Sequence, residues 1–131
     1  MTTTTTTRNG AAPASIEAFD RAAELDAWDT TIGDLDAALR DAAGARREID
    51  ELGAVLERIE ASAVLRIEGP NAEARKARLS LELADDARYC GALADLRRAR
   101  ERLADADRRV LVSRERCRLL RTAIQMHAGG D

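Results

Sequence analysis

Aromatic side chains are nearly missing from this sequence: Phe19, Trp28 and Tyr89 are the only three among 131 residues. Proline occurs twice, at Pro13 and Pro70, and lysine and histidine once each, at Lys76 and His127. So few rings leave little to fill a thick globular core. With 27 alanines among abundant Glu, Arg and Leu, the composition reads as long helices. No apolar run approaches the ~20 residues that span a bilayer, and the opening residues carry no charged-then-apolar leader. The expectation is a cytoplasmic protein with no membrane contact. Cys90 and Cys117 fall on one expected helix, about 40 Å apart by its rise, too far to bond to each other within a chain. Free thiols of this kind fit a reducing compartment.

The signatures of catalysis are missing as well. There is no phosphate-cradling glycine loop ending in Lys-Ser or Lys-Thr, no His-Glu-x-x-His and no nucleophile elbow. A nucleophile needs a neighbouring base, and the sole histidine lies near the end of the chain. Cys90, Cys117 and His127 would spread over more than about 50 Å of helix, which excludes a tetrahedral metal site in one chain. The sequence therefore predicts a protein that is not an enzyme and holds no cofactor or metal.

What is present is periodicity. From Asp86 to Met126 small or apolar residues recur in unbroken 3-4 alternation: Tyr89, Ala92, Leu96, Ala99, Leu103, Ala106, Val110, Ser113, Cys117, Leu120 and Ile124. Such a stripe marks a helix lying along a partner helix. Asp86 is placed to cap its start and Gly129-Gly130 to end it. Earlier in the chain a second stripe runs through Leu25, Trp28, Ile32, Leu35, Leu39, Ala42, Arg46 and Ile49. It then drops a residue, a stammer, and continues as Leu52, Leu56, Ile59, Ala63 and Ile67. Thr31 with Asp34 offers a fresh helix start inside it.

Between the stripes, Glu68-Gly69-Pro70-Asn71 is the strong turn signal. Gly69 permits a left-handed helix end, Pro70 forbids continuation and Asn71 can cap the next helix. That short helix puts Ala74, Ala77, Leu81 and Ala84 on one face, with Leu79 and Leu83 beside it. The expected organisation is a disordered Thr-rich tail over residues 1–14 and a single helical coiled-coil domain over 15–128, with helices at about 15–29, 32–67, 72–84 and 87–127. The fold class is all-α, an elongated antiparallel hairpin or coiled coil with a short intervening helix. Two helices alone bury one stripe each, so the core is expected to be completed by a homo-oligomer built on Leu96, Leu103, Val110, Cys117, Leu120 and Ile124.

The net charge of −3 conceals a polarity. Residues 1–68 carry 7 Arg against 14 Asp and Glu, a net −7, whereas residues 69–131 carry 14 Lys and Arg against 10 Asp and Glu, a net +4. The halves can attract each other across a hairpin, and the basic half can also meet a polyanion. Its candidates are Arg75, Lys76 and Arg78 on the short helix and Arg114, Arg118 and Arg121, which share a face of the long one. Guanidinium forks grip phosphate oxygens well. The near-absence of rings speaks against base stacking.

The run Gly69-Pro70-Asn71-Ala72-Glu73-Ala74-Arg75-Lys76-Ala77, with Leu79, Leu81, Leu83, Asp85-Asp86, Tyr89 and the coil from Leu96 to Leu120 after it, resembles small helical phage and prophage proteins over about residues 50–126. More loosely, Arg58-Ile59-Glu60-Ala61, Lys76-Ala77-Arg78-Leu79 and the closing helix through Ile124-Gln125-Met126 are similar to phage recombination mediators. That resemblance implies a ring-like homo-oligomer that binds single-stranded DNA and a recombinase. The chain departs from it in its scarcity of lysine and aromatics and in its acidic first half. Two functions are expected on these grounds: a phage-type DNA recombination or replication accessory protein, or a structural or adaptor coiled coil, such as a scaffold or chaperone, without nucleic acid.

Overall fold

In a computed structural model, the protein is described over the backbone of residues 2–129 and the side chains of residues 21–128. The residues read as a Thr-rich tail, 1–14, lie outside the described side chains. The fold is all-helical and hairpin-like: α1 (Thr2–Arg66), α2 (Ala72–Asp85) and α3 (Ala87–Gly129). Two compact units divide it. One is Leu39–Asp107; the other joins the part of α1 before Leu39 to the part of α3 from Arg108 onward.

The turn between α1 and α2 owes its shape to three local devices. Asn71 is extended (φ −149°, ψ 171°), and its Oδ1 accepts from Ala74 N at 2.8 Å, the expected N-cap. Arg75 Nη1 donates to Gly69 O at 3.1 Å and Arg78 Nη1 to Glu68 O, so two cations satisfy carbonyls just past the end of α1. Gly69 is not left-handed, contrary to the expectation from Gly-Pro: no described residue has a positive φ. Its lack of a side chain instead relieves a tight approach, since a Cβ there would lie 3.1 Å from Arg75 Cγ and 3.2 Å from the backbone Arg75 N. At the next junction Asp86 Oδ1 accepts from Arg88 N and Tyr89 N at 2.9 and 3.1 Å, capping α3.

The seam on α1 differs from the one its large residues suggest. Buried positions are Thr31, Ala38, Ala42, Ala45, Leu56, Ile59 and Ala63. Half-buried Leu35, Ile49 and Leu52 fill the gaps, so the 3-4 alternation never breaks and there is no stammer. Ile32 and Leu39, which hydrophobic periodicity places on the seam, are 41% and 42% exposed, and Arg46 turns outward to Asp107 at 3.1 Å. Thr31 is taken up by the seam rather than by a new helix start, and α1 passes through residues 30–31 without interruption.

Small residues explain the choice. In the Leu39–Asp107 unit α1 offers Ala42 and Ala45, and α3 offers Ala92, Ala99 and Ala106, all buried. Small side chains let backbones approach, and more packed atoms then compensate for the smaller residues. Leu56 and Leu96 close the seam with Ala92, and Ile59, Ala63 and Leu83 form the next cluster. The inward face of α2 is thus Leu79 and Leu83, while Leu81, expected on the packed face, is 69% exposed. Ion pairs Arg46–Asp107, Glu48–Arg102 and Arg66–Glu82 flank the unit and fix its antiparallel register. Each lies near the surface and is worth little alone.

Two expected outcomes arise from this packing. Gly33, Gly44, Gly53 and Gly91 sit inside helices with nothing within 4 Å of an added Cβ. Each change to Ala should stabilise by about 0.5–1 kcal/mol, read as a rise in thermal midpoint. Gly69→Ala should lower it. Tyr89 provides the second. Its hydroxyl donates to Glu60 Oε1 at 3.0 Å, and that bond, followed by desolvation and the carboxylate's charge, raises its pKa. A raised folded pKa means the contribution is complete below the unfolded value of about 10 and is lost as pH rises through the folded one. Tyr89→Phe should cost about 1 kcal/mol at neutral pH and flatten the fall in stability above that unfolded value.

Candidate nucleic-acid interface

The five arginines and one lysine that the sequence nominates for phosphate binding are divided between the two units. Arg75 and Arg78 bend back onto the carbonyls of Gly69 and Glu68, so their forks already hold the turn. Lys76 beside them is exposed. All three belong to the Leu39–Asp107 unit, whereas Arg114, Arg118 and Arg121 belong to the other.

Those later arginines lie on one exposed face of α3, spaced by four and three residues. Arg118 is held by a fork to Glu115, Nη2 to Oε1 at 2.6 Å and Nε to Oε2 at 3.2 Å. The bond, then the charge, keeps the Glu115 carboxyl below its usual range and pushes Arg118 higher. Among the described residues Arg114 and Arg121 have no side-chain partner. The face therefore presents two open forks either side of one that a carboxylate occupies, over roughly 10 Å of helix. Leu111, 66% exposed, continues the same line one turn earlier.

The residues nominated for assembly occupy another place. Leu96, Val110 and Cys117 are buried and Leu103, Leu120 and Ile124 half-buried within the single chain, on the seam with α1. In place of that seam α3 leaves Val112, Leu119 and Met126 exposed at steps of seven. Near the end of the helix Glu24 Oε2, buried and without a hydrogen bond, lies 2.9 Å from His127 Nδ1; the contact is an ion pair only when the imidazole is protonated. Cys90 is exposed, with its thiol 3.3 Å from Ala84 O. Among the described residues no three metal-ligating side chains come together, and no helix is long and apolar enough to cross a membrane.

One constellation is not apparent from the sequence. Val55, Arg58, Ile59 and Ser62 of α1 line a groove with Arg88 of α3. The spacing of the first four, at i, i+3, i+4 and i+7, is visible in the sequence; the contribution of Arg88, thirty positions beyond Arg58, is not. Comparison with protein-family models, curated proteins and solved structures finds no match for this chain.

Proposed function

We propose that the chain is a phage-type accessory protein of DNA recombination or replication, binding single-stranded DNA through the α3 face of Arg114, Arg118 and Arg121 and acting as a homo-oligomer beside a recombinase. The observation that carries the reading is that two of these three forks are unpartnered, among the described residues, on one exposed helix face. An exposed cation without a counter-charge is the feature that phosphate contacts need, and such contacts require no base-stacking ring. Arg75 and Arg78 each give one Nη1 donor to a turn carbonyl, so the reading rests first on the α3 face. Fluorescence anisotropy with a labelled 40-mer at rising salt tests the proposal: saturable, salt-sensitive binding is expected, and no binding at low salt overturns it.

A second reading, a structural or adaptor coiled coil, is favoured by Val112, Leu119 and Met126, a sevenfold-spaced apolar line on the exposed side of α3. On that reading the line seats a second helix, and self-association survives without nucleic acid. Light scattering of the pure protein, with and without the oligonucleotide, separates the two. Assembly that neither needs nor tolerates DNA supports the adaptor.

A further inference from the structure

The groove of the Leu39–Asp107 unit combines an apolar floor with a rim of donors. Val55, Arg58, Ile59 and Ser62 share one face of α1, and Arg88 in the first turn of α3 closes the opposite side around about 350 Å³. Ile59 is buried and Val55 half-buried. Ser62 Oγ accepts from Arg66 Nη1 at 3.0 Å, which leaves its own O–H free to donate. No carboxylate lines the space. Glu60 is engaged with Tyr89, and Asp86 with the first amides of α3. Among the described residues the guanidiniums of Arg58 and Arg88 have no partner. Two cations facing one concavity without a counter-charge repel each other, and an anion placed between them removes that cost.

We propose that this groove docks an acidic amphipathic helix of a partner protein. One of its apolar side chains rests on Val55 and Ile59, and a carboxylate three or four residues away is held between Arg58 and Arg88, with the Ser62 hydroxyl as a further donor. The floor argues for a peptide over a nucleic acid. It is aliphatic, offers no ring on which a base could stack, and phosphate contacts alone need no apolar surface. A groove along two packed helices also has the form that receives a third helix through anchors at i, i+3 and i+4. The site lies in the other unit from the DNA face, so its test is independent of that reading.

The probe is a fluorescein-labelled, acetylated and amidated 14-residue helix with Leu and Glu four positions apart on one face, together with a counterpart carrying Gln in place of every Glu. With the full chain the acidic peptide should bind saturably. Affinity should fall about tenfold or more for the Gln peptide, and by a similar factor in a double variant, Arg58→Gln with Arg88→Gln. Both side chains are exposed and unpartnered among the described residues, so circular dichroism of the variant should match the unmutated chain. In the unmutated protein, amide shifts on adding peptide should centre on Val55, Ser62 and Arg88, a readout that does not depend on the variant folding. Absence of saturable binding, equal binding by the double variant, or shifts centred elsewhere overturns the proposal. Loss of 40-mer affinity in the double variant without any peptide binding overturns it too, and assigns the groove to phosphate.

Discussion

A chain carrying Ala99→Leu and Ala106→Leu should melt far below the unmodified protein. Both alanines are wholly buried, about two turns apart on the α3 seam, in the unit where α1 presents Ala42 and Ala45. Leucine adds three heavy atoms at each position, and a close-packed seam has no void to take them. Either the helices separate, wetting Leu56 and Leu96 nearby, or the new side chains leave their rotamer wells. Overpacking costs about 1–3 kcal/mol per site, and the sites are far enough apart along the helix to add, giving roughly 2–6 kcal/mol. The total stability of a small domain is about 5–15 kcal/mol, so urea titration followed by circular dichroism should show a large loss of midpoint. Leu39→Ala is the control: at 42% exposure it should change little. A seam running through Leu39, as its size suggests, would reverse that order, with Leu39→Ala costly and the paired leucines tolerated.

Hydrophobic size misleads on α1 because of which residues make the seam. On α3 every apolar or small residue of the alternation faces inward, so the stripe from Tyr89 to Ile124 is legible directly. On α1 two interleaved lines compete. One is Leu25, Ile32, Leu39 and Arg46, the other Thr31, Ala38 and Ala45, one residue earlier. Hydrophobic size selects the first line and then needs a stammer to reach Leu52. Packing selects the second, and within the Leu39–Asp107 unit its Ala45, with Ala42, is buried as are Ala92, Ala99 and Ala106 of α3. The turn was legible through Pro70 and Asn71, whereas the role of Gly69 was not. Its constraint comes from Arg75, six residues on, folding back over it. In the candidate interface, spacing placed Arg114, Arg118 and Arg121 on one face. It could not distinguish an open fork from one occupied by Glu115, nor foresee that Arg75 and Arg78 hold carbonyls. Those facts depend on rotamers, which neither charge nor periodicity specifies.

The occupied fork shapes what the arginines should do to DNA binding. If Arg114 and Arg121 each neutralise a phosphate, each contributes about −0.7 to the slope of log affinity against log salt for a single strand. Changing both to Ala should therefore flatten the slope by roughly 1.4 units per protomer. A fourfold rise in salt then costs the double variant about sevenfold less in affinity than it costs the unmutated chain. The weakening should be similar for oligonucleotides of any sequence, because phosphate contacts carry no base information. Arg118 should contribute less than a full unit contact, since reaching a phosphate means leaving the carboxylate that holds it. Glu115→Gln removes that competitor and one negative charge from the face, so it should tighten binding and steepen the slope. The same change in Arg118→Ala should act only through the lost charge, tightening binding without the extra steepening. Thermal stability should hold in every variant, as all four side chains are exposed and lie off the Val110–Cys117 seam. If DNA is not the ligand of this face, the Arg114 and Arg121 changes will leave the salt slope of any 40-mer binding where it was, and the proposal for this face fails.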